Sequence, residues 1–146
     1  MQLGKLTLSP KLHEILIREC FDVIGAIQYV HKKLGPALPE YVYQEALYRR
    51  LLKLGMNVQK EYQHHPLFDD EVLDSYIKMD LVVFRPDGNI IIECKSIASI
   101  GDREQLQTYG YLNGTGFPLA ILVNFGTYPK AQVQRYYHEG DDIVAF

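Results

Sequence analysis

Three charged residues stand at the borders of two apolar runs, where charge is uncommon. Asp80 comes just before the run Leu81–Phe84, and Glu93 and Lys95 close the run that begins at Ile90. Asp, Glu and Lys are depleted in strands and are seldom buried without a partner. Two carboxylates could hold a hard divalent cation, because such ions prefer oxygen ligands. A metal-bound water beside the lysine would then be a nucleophile.

The segment between the two runs brings these charges together. Residues 86–89 are Pro-Asp-Gly-Asn, a strong turn signal, so the sequence predicts an antiparallel hairpin over residues 76–95. Glu93 and Lys95 then lie on one face of the second strand, beside Asp80, and Cys94 lies on the other face. A plain salt bridge between a lysine and a carboxylate would use the same placement, and the spacing alone favours neither reading.

The pattern of Asp80 followed after a β-turn by Glu93-Cys94-Lys95 resembles the signature of the PD-(D/E)XK nuclease superfamily. The proline of that signature is absent, because Met79 precedes Asp80. The resemblance implies that Asp80 and Glu93 bind Mg²⁺ or Mn²⁺, with the main-chain carbonyl of Cys94 as a third ligand. It also implies that Lys95 orients or deprotonates the attacking water, or steadies the charge that develops at phosphorus.

Two amphipathic helices are predicted before the hairpin. Apolar residues recur at helical spacing up to Leu34, behind a Ser9-Pro10 start signal, and predict a scaffold helix. A second helix is predicted from about Pro39 to Leu54. Glu40 lies on the apolar stripe of this second helix, which is an unusual position for an acid. The electrostatic field at a helix N-terminus also accounts for an acid there.

The segment that begins at Gly35 resembles the opening motif of the GxxExxY family, a branch of the same superfamily. The Glu and Tyr of that name match Glu40 and Tyr43, and the preceding family glycine matches Gly35. Ala37 replaces the first Gly of the name, a change expected to alter the turn geometry more than the chemistry. The resemblance covers about residues 12–126 and implies that Glu40 contacts a second ion or its waters.

A third helix is predicted from about Asp102 to Leu112, and it carries Gln107 and Tyr111 on one face. A Gln-x-x-x-Tyr motif of this kind follows the lysine strand in several branches of the superfamily. The resemblance therefore implies that both residues position the substrate. Without it, the pattern favours a core tyrosine and a surface glutamine. The buried run at residues 119–123 predicts a strand reached through a crossover.

The remaining segments carry weaker functional signals. Residues 57–68 and 72–84 predict two strands joined by a turn at Asp69-Asp70. His64 and His65 point to opposite faces of a strand, so they cannot chelate a metal as a pair. The residues after Gly126 predict an edge strand or a terminal cover, although their basic and aromatic side chains could contact nucleic acid.

Composition fits a soluble globular protein. The 146 residues are 47% hydrophobic and 23% charged, with a net charge of −3. An acidic chain is not a general nucleic-acid binder, so a nucleic-acid site would require a local basic patch. Cys20 and Cys94 are expected to be buried free thiols. No signal peptide or membrane-length apolar run is visible, so we expect a cytoplasmic protein without a membrane partner.

These patterns predict an α/β fold with a restriction-endonuclease-like core, in which helices flank a central mixed β-sheet. We expect one nuclease-like domain over residues 1–146. Residues 1–34 would form the scaffold helix, residues 35–126 the core, and residues 127–146 a C-terminal cover.

The expected function is a metal-dependent nuclease that hydrolyses phosphodiester bonds in DNA or RNA. Its catalytic residues would be Glu40, Asp80, Glu93 and Lys95. The alternative is a catalytically inactive nucleic-acid-binding or protein-interaction module on the same fold, because a fold does not fix a function. The presence of all four residues favours catalysis, whereas the acidic net charge argues against tight unaided binding of DNA.

Overall fold

The computed structural model describes the backbone of residues 2–3 and all of residues 7–146. In these residues three helices accompany a seven-stranded mixed sheet of order β1-β9-β8-β7-β6-β5-β2 and a small two-stranded sheet, β3-β4. The predicted α/β fold is confirmed. In chain order the elements are β1 (Gln2–Leu3), α1 (Pro10–Leu34), α2 (Glu40–Lys53), β2 (Asn57–His64), β3 (Leu67–Phe68), β4 (Glu71–Val72), β5 (Ile77–Phe84), β6 (Ile90–Lys95), α3 (Asp102–Thr115), β7 (Leu119–Asn124), β8 (Gln132–Glu139) and β9 (Asp142–Ala145).

The long first helix begins and ends where the sequence predicts. The Ser9 hydroxyl accepts a hydrogen bond of 3.2 Å from the Leu12 amide, and Pro10 occupies the first turn, where its missing N–H costs nothing. At the other end the Gly35 amide donates to the His31 carbonyl at 2.8 Å, in a conformation with φ of 75°. Glycine adopts this conformation without the clash of a Cβ atom, so the helix stops there.

The helices cover the two faces of the sheet. Helices α1 and α2 pack against one face, which includes Ile90 and Ile92, and α3 packs against the other, which includes Ile91. Each large aliphatic side chain buried in this way stabilises the fold by about 1.5–3 kcal/mol. Strand β6 is therefore buried on both faces, and this explains its continuous apolar run.

Helix α3 forms the predicted crossover between two parallel strands. Strand β6 pairs in parallel with β7, from Ile90 opposite Leu119 to Lys95 opposite Asn124. Strands β5 and β6 pair antiparallel, with Leu81 opposite Ile92. The hairpin and the crossover both agree with the sequence analysis, and together they put the carboxyl end of β6 in the interior of the sheet.

Each of the two long strands predicted on either side of Asp69-Asp70 is broken in the structure. Strand β2 stops at His64, and the next residues form the short β3–β4 hairpin before β5 begins at Ile77. Pro66 has no amide to donate to a ladder, which accounts for the first break. The predicted turn is present, and both aspartates adopt left-handed φ values of 50° and 62°.

The C-terminal residues are part of the main sheet. Strand β8 pairs with β7 on one side and with β9 on the other, and β1 pairs in parallel with β9. Strand β8 is consequently an interior strand, where the sequence suggested an edge strand or a cover.

Cys20 and Cys94 are both buried and free, as expected. Among the helices in residues 7–146, none is long and apolar enough to cross a membrane.

Candidate active site

The β5–β6 hairpin brings Asp80 and Glu93 together through two crossed hydrogen bonds. The Asp80 amide donates to Glu93 Oε1 at 2.8 Å, and the Cys94 amide donates to Asp80 Oδ2 at 2.8 Å. The regular β5–β6 pairing ends with Leu81 opposite Ile92. Beyond it, the Glu93 and Asp80 carboxylates accept the hydrogen bonds of the Asp80 and Cys94 amides in place of backbone carbonyls. Asp80 Oδ1 and Glu93 Oε2 lie outside both bonds.

Burial makes the negative charge of this pair costly. Glu93 is only 3% exposed, and burial together with the neighbouring Asp80 charge raises its pKa to about 8. Burial also raises the pKa of Asp80, although the Cys94 amide and the Lys95 ammonium oppose this shift. Two carboxylates that resist ionisation side by side favour a proton or a cation between them.

Lys95 lies at the end of β6, on the same face as Glu93. Its ammonium donates to Gln107 Oε1 on α3 at 2.9 Å. Its positive charge lowers the pKa values of Asp80 and Glu93, so the lysine acts on the pair electrostatically. The ion pairs among the described residues are Arg18–Glu14, Arg49–Glu45 and Arg85–Glu19, and Lys95 takes part in none of them. A simple salt bridge therefore does not account for the position of Lys95.

Helix α3 carries both residues of the Gln-x-x-x-Tyr pattern. Tyr111 is half-buried against the cluster on the α3 face, whereas Gln107 is exposed. Burial raises the pKa of Tyr111 to about 12, and the charges of Glu93 and Asp80 add to this shift. Both residues therefore border the carboxylate pair, Gln107 through its bond to Lys95 and Tyr111 through electrostatics.

Glu40 occupies the first turn of α2 and is exposed, whereas the sequence pattern placed it on the core-facing stripe. The buried stripe begins one turn later with Tyr43 and continues through Leu47 and Leu51. The first turn of a helix projects beyond the surface that its later turns cover, which explains the difference. The Glu40 charge nevertheless raises the pKa values of both Asp80 and Glu93, so it lies at the mouth of the site.

The turn before Glu40 is held by Tyr43. The Tyr43 hydroxyl accepts from the Leu38 amide at 3.1 Å and donates to the Gly35 carbonyl, and its ring stacks on Phe125 at 4.4 Å between centroids. Ala37 has a φ of 69°, in the left-handed region that favours glycine. An alanine in this conformation is strained, so the contacts of Tyr43 hold the turn against that strain.

Glu61 is a carboxylate at this site that the sequence analysis did not single out. It lies opposite Asp80, because Lys60 pairs with Leu81 and Tyr62 pairs with Met79. Its φ is 52°, an uncommon value for a glutamate in a strand, and its charge raises the pKa of Asp80.

Strands β2 and β5 both reverse their side-chain alternation at this point. Val58 and Leu81 pack in the α1–α2 cluster, whereas Tyr62 and Met79, each an even number of residues away, pack in the α3 cluster. An unbroken strand would keep such residues on one face. The apolar spacing of the sequence gives no sign of this reversal, so Glu61 could not be identified from it.

The loop after Lys95 is clasped by Asn124. The fully buried Asn124 side chain accepts from the Ile97 amide at 3.0 Å and donates to the Ile97 carbonyl at 2.9 Å. The Phe125 amide donates to the Lys95 carbonyl at 2.8 Å. Beside this loop, a cavity of about 620 Å³ is lined by Leu38, Pro39, Glu40, Ser96, Ile97 and Gly126. It is an open space next to Glu40 that a substrate could enter.

The donor set suits a hard cation. Asp80, Glu93, Glu40 and Glu61 supply only carboxylate oxygens, which Mg²⁺ and Mn²⁺ accept. Within residues 7–146, no three His, Cys, Asp or Glu side chains lie close enough to form a complete metal site. Asp80 and Glu93 alone offer two carboxylate ligands, and an ion such as Mg²⁺ usually takes its other ligands from water or a phosphate.

The histidine pair takes no part in the site. His64 packs edge-on against Phe117, with the ring centroids 6.0 Å apart, and His65 Nδ1 lies 3.0 Å from the Leu73 carbonyl oxygen. The two side chains have separate neighbours, and His65 lies beyond the end of β2, where the sequence predicted a continuous strand.

A mixed sheet flanked by helices, with an acidic pair and a lysine on its central hairpin, defines the nuclease-like class of α/β proteins. Residues 18–136 match the family model described as PD-(D/E)XK nuclease superfamily. The chain belongs to this superfamily, as its sequence pattern predicted. Membership implies a nuclease-like function on nucleic acid in general, and such nucleases generally use divalent metal ions.

Comparison with solved structures gave a distant neighbour, titled "Crystal structure of SSO0001". It is 15% identical to this chain. The match covers 90% of this chain and 80% of the neighbour, with a TM-score of 0.45. No curated protein matches the chain.

Proposed function

We propose that this protein is a metal-dependent nuclease that hydrolyses phosphodiester bonds in DNA or RNA, of the GxxExxY branch. The observation that carries this proposal is the crossed bonding of Asp80 and Glu93. One oxygen of each carboxylate is fixed by a backbone amide, and the other oxygen stays outside these bonds. Asp80, Glu93 and the main-chain carbonyl of Cys94 would hold the divalent ion, and the fixed carboxylates would be preorganised for it.

A bound Mg²⁺ or Mn²⁺ would polarise the phosphate and increase the acidity of the attacking water. Lys95, as the ammonium that donates to Gln107, would orient that water or donate a hydrogen bond to the charge that develops on the phosphoryl oxygens. The hydrogen bond to Gln107 holds the ammonium at the C-terminal end of β6. The water oxygen would bond to phosphorus as the P–O bond to the leaving oxygen breaks. The water would lose a proton to solvent, and the leaving oxygen would take one up from solvent as the strand is cut.

The outer residues would complete the site. Glu40 is exposed at its mouth and would contact a second ion or its waters, and Glu61 would share this role from the opposite side of Asp80. Gln107 and Tyr111 would position the nucleic-acid backbone, since they border the carboxylates from α3.

A cleavage panel tests the proposal. Labelled single-stranded and duplex DNA and RNA are incubated with the protein and Mg²⁺ or Mn²⁺, and with EDTA as a control. We expect cleavage that requires the metal. We expect Lys95→Ala to fold normally and to lose at least about a hundredfold in rate, because it removes a group that stabilises the transition state. The matched control Lys11→Ala removes an exposed lysine of α1 and should cleave like the wild type.

Two results would count against the proposal in different ways. Retained activity in Lys95→Ala would exclude the lysine from the chemistry. If the wild type cleaves no substrate and binds no Mn²⁺ by calorimetry, the catalytically inactive binding or interaction module takes the place of the nuclease.

A further inference from the structure

A basic groove lies between the ends of α1 and α2, apart from the carboxylate site. We define it by Tyr29 and Lys33 of α1 and by Arg49, Arg50 and Lys53 of α2. Its floor is apolar, and its volume is about 230 Å³. Four cationic side chains lie around this small apolar groove, and those without an anionic partner would gain from an anion bound between them.

The charge of the groove contrasts with that of the rest of the chain. Four of the five residues that define the groove are Lys or Arg, although the whole protein has a net charge of −3. Glu45 neutralises Arg49 through an ion pair of 2.9 Å. In the part of the chain that the structure describes, Lys33, Arg50 and Lys53 belong to no ion pair. The groove is therefore the local basic patch that nucleic-acid binding by an acidic protein requires.

Arg50 shows that the groove is preformed. Its guanidinium carbon lies 4.0 Å from the centroid of the Tyr29 ring, and the Lys33 ammonium lies 5.5 Å from the same ring. The Nε atom of Arg50 is buried and has no hydrogen-bond partner among the residues that the structure describes. A buried donor without a partner is costly. Arg50 lines the groove, and arginine side chains bind phosphate oxygens well.

Helix α2 connects the groove to the proposed site of cleavage. It begins at Glu40, whose charge acts on Asp80 and Glu93, and it ends at Lys53. At 1.5 Å per residue, the groove residues of α2 lie about 14–20 Å along the helix from Glu40. Phosphates of one strand in a duplex follow each other at about 3.4 Å along the axis. In a duplex laid along α2, a phosphate about four to six steps from the cut would reach the groove.

We infer that the groove between α1 and α2 binds the phosphate backbone of the nucleic-acid substrate, several nucleotides from the bond that is cut. The identity of this ligand rests on the proposed function. The contact would carry no base information, because it reaches only phosphates, and it would hold the substrate in register along α2.

Salt-dependent binding tests this inference. A labelled DNA duplex and a labelled single strand are titrated by fluorescence anisotropy between about 50 and 200 mM salt, without a divalent metal so that no cleavage occurs. The variant Lys33→Gln/Lys53→Gln removes two exposed groove charges. The control Lys11→Gln/Arg18→Gln removes the same number of exposed positive charges from the N-terminal half of α1, where Arg18 is paired with Glu14. Thermal melts confirm that both variants are folded.

We expect the wild type to lose about tenfold more affinity than the groove variant over this salt range, since two phosphate contacts release about two counterions. The control variant should keep the salt dependence of the wild type. The inference is overturned if both variants lose affinity equally, or if neither nucleic acid binds the wild type. It is also overturned if poly-glutamate binds the groove as tightly as the duplex, because the groove would then be a docking site for acidic protein.

The outcomes separate this inference from the proposed function. If the wild type binds with the expected salt dependence but cleaves nothing once Mn²⁺ is added, the groove stands and the nuclease fails. If the wild type cleaves but the groove variant binds and cleaves as the wild type does, the groove alone is excluded.

Discussion

Asp80 and Glu93 are held side by side by amides of their own hairpin, and burial makes their charges unfavourable. Burial raises the pKa values of both, and the neighbouring carboxylates add to the effect. Lys95 offsets part of this, yet its ammonium is bonded to Gln107 rather than paired with a carboxylate. The pair is therefore expected to destabilise the metal-free protein and to gain from a bound cation.

The variant Asp80→Asn tests this cost in the metal-free state. Asparagine keeps an oxygen that can accept from the Cys94 amide and removes one of the adjacent charges. We expect the metal-free melting temperature to rise or to stay unchanged. Mn²⁺ should raise the melting temperature of the wild type by mass action, and most of that gain should be absent in the variant. Four thermal melts measure this. A variant that melts several degrees lower, together with a wild type that ignores millimolar Mn²⁺, would favour a structural role for the aspartate.

The raised pKa of Glu93 predicts how stability depends on pH. The folded protein holds this proton up to about pH 8, whereas the unfolded chain releases it near the ordinary value of 4.5. Between these values the folded state binds more protons, so this residue makes the metal-free protein less stable as the pH rises. Urea unfolding at a series of pH values across this window measures the trend. Glu93→Gln should flatten the fall relative to the wild type, and an equal pH dependence in both proteins would contradict the assignment.

At the scale of elements, the end of β7 controls the loop that follows Lys95. Asn124 bonds both backbone groups of Ile97, and its side-chain oxygen also accepts from the Gly126 amide at 2.9 Å. Gly126 lies so close to this loop that a Cβ atom there would stand 2.2 Å from the Ile97 carbonyl oxygen and 2.7 Å from the Ile97 amide nitrogen. The strand end and the loop are therefore packed backbone against backbone.

Substitution of Gly126 should disrupt the packing of the strand end against the loop at Ile97. We expect Gly126→Ala to lower the free energy of unfolding by about 1–3 kcal/mol, because the loop must move to accept the methyl group. The matched control is Gly25→Ala in the middle of α1, where a Cβ atom meets nothing within 4 Å. That control should gain about 0.5–1 kcal/mol from helix propensity. Urea unfolding compares the two, and a stable Gly126→Ala would show that the loop yields easily.

At the scale of the whole molecule, stability is expected to be uneven. Strands β5, β6 and β7 form the centre of the sheet and carry most of the buried aliphatic residues, with helices on both faces. The β3–β4 hairpin forms a separate two-stranded sheet, and Leu67, Phe68 and Val72 in it are more than 60% exposed. Isolated hairpins are marginally stable in water, so the β3–β4 hairpin should open independently of the core.

Hydrogen exchange can measure this difference. Amides of β6 and β7 should exchange only through global unfolding, with protection close to the total free energy of unfolding. Amides of β3 and β4 should exchange much faster, through local opening. Equal protection in both regions would mean that the β3–β4 hairpin is covered in solution, and its apolar side chains would then mark an interface.

The sequence alone determined the features that depend on neighbouring residues. The turn at residues 86–89 and the flanking apolar runs were enough to predict the hairpin and to bring Asp80 beside Glu93. Strand alternation was enough to put Glu93 and Lys95 on one face. Periodicity and end signals predicted the first two helices, and the motif pattern predicted the superfamily that the family model confirms. These signals are local, because turn preference, alternation and helical period act over a few residues.

The tertiary structure decided what depends on residues far apart in the chain. The reversal at Glu61 and Asp80 arises where β2 and β5 pair, and it leaves no trace in the apolar spacing. The bond from Lys95 to Gln107 requires the α3 crossover to return over β6, and the interior position of β8 requires β9 to pair beyond it. The basic groove forms only because α1 and α2 pack so that Arg50 meets Tyr29. Each of these features is set by the packing of distant segments, which local sequence patterns do not encode.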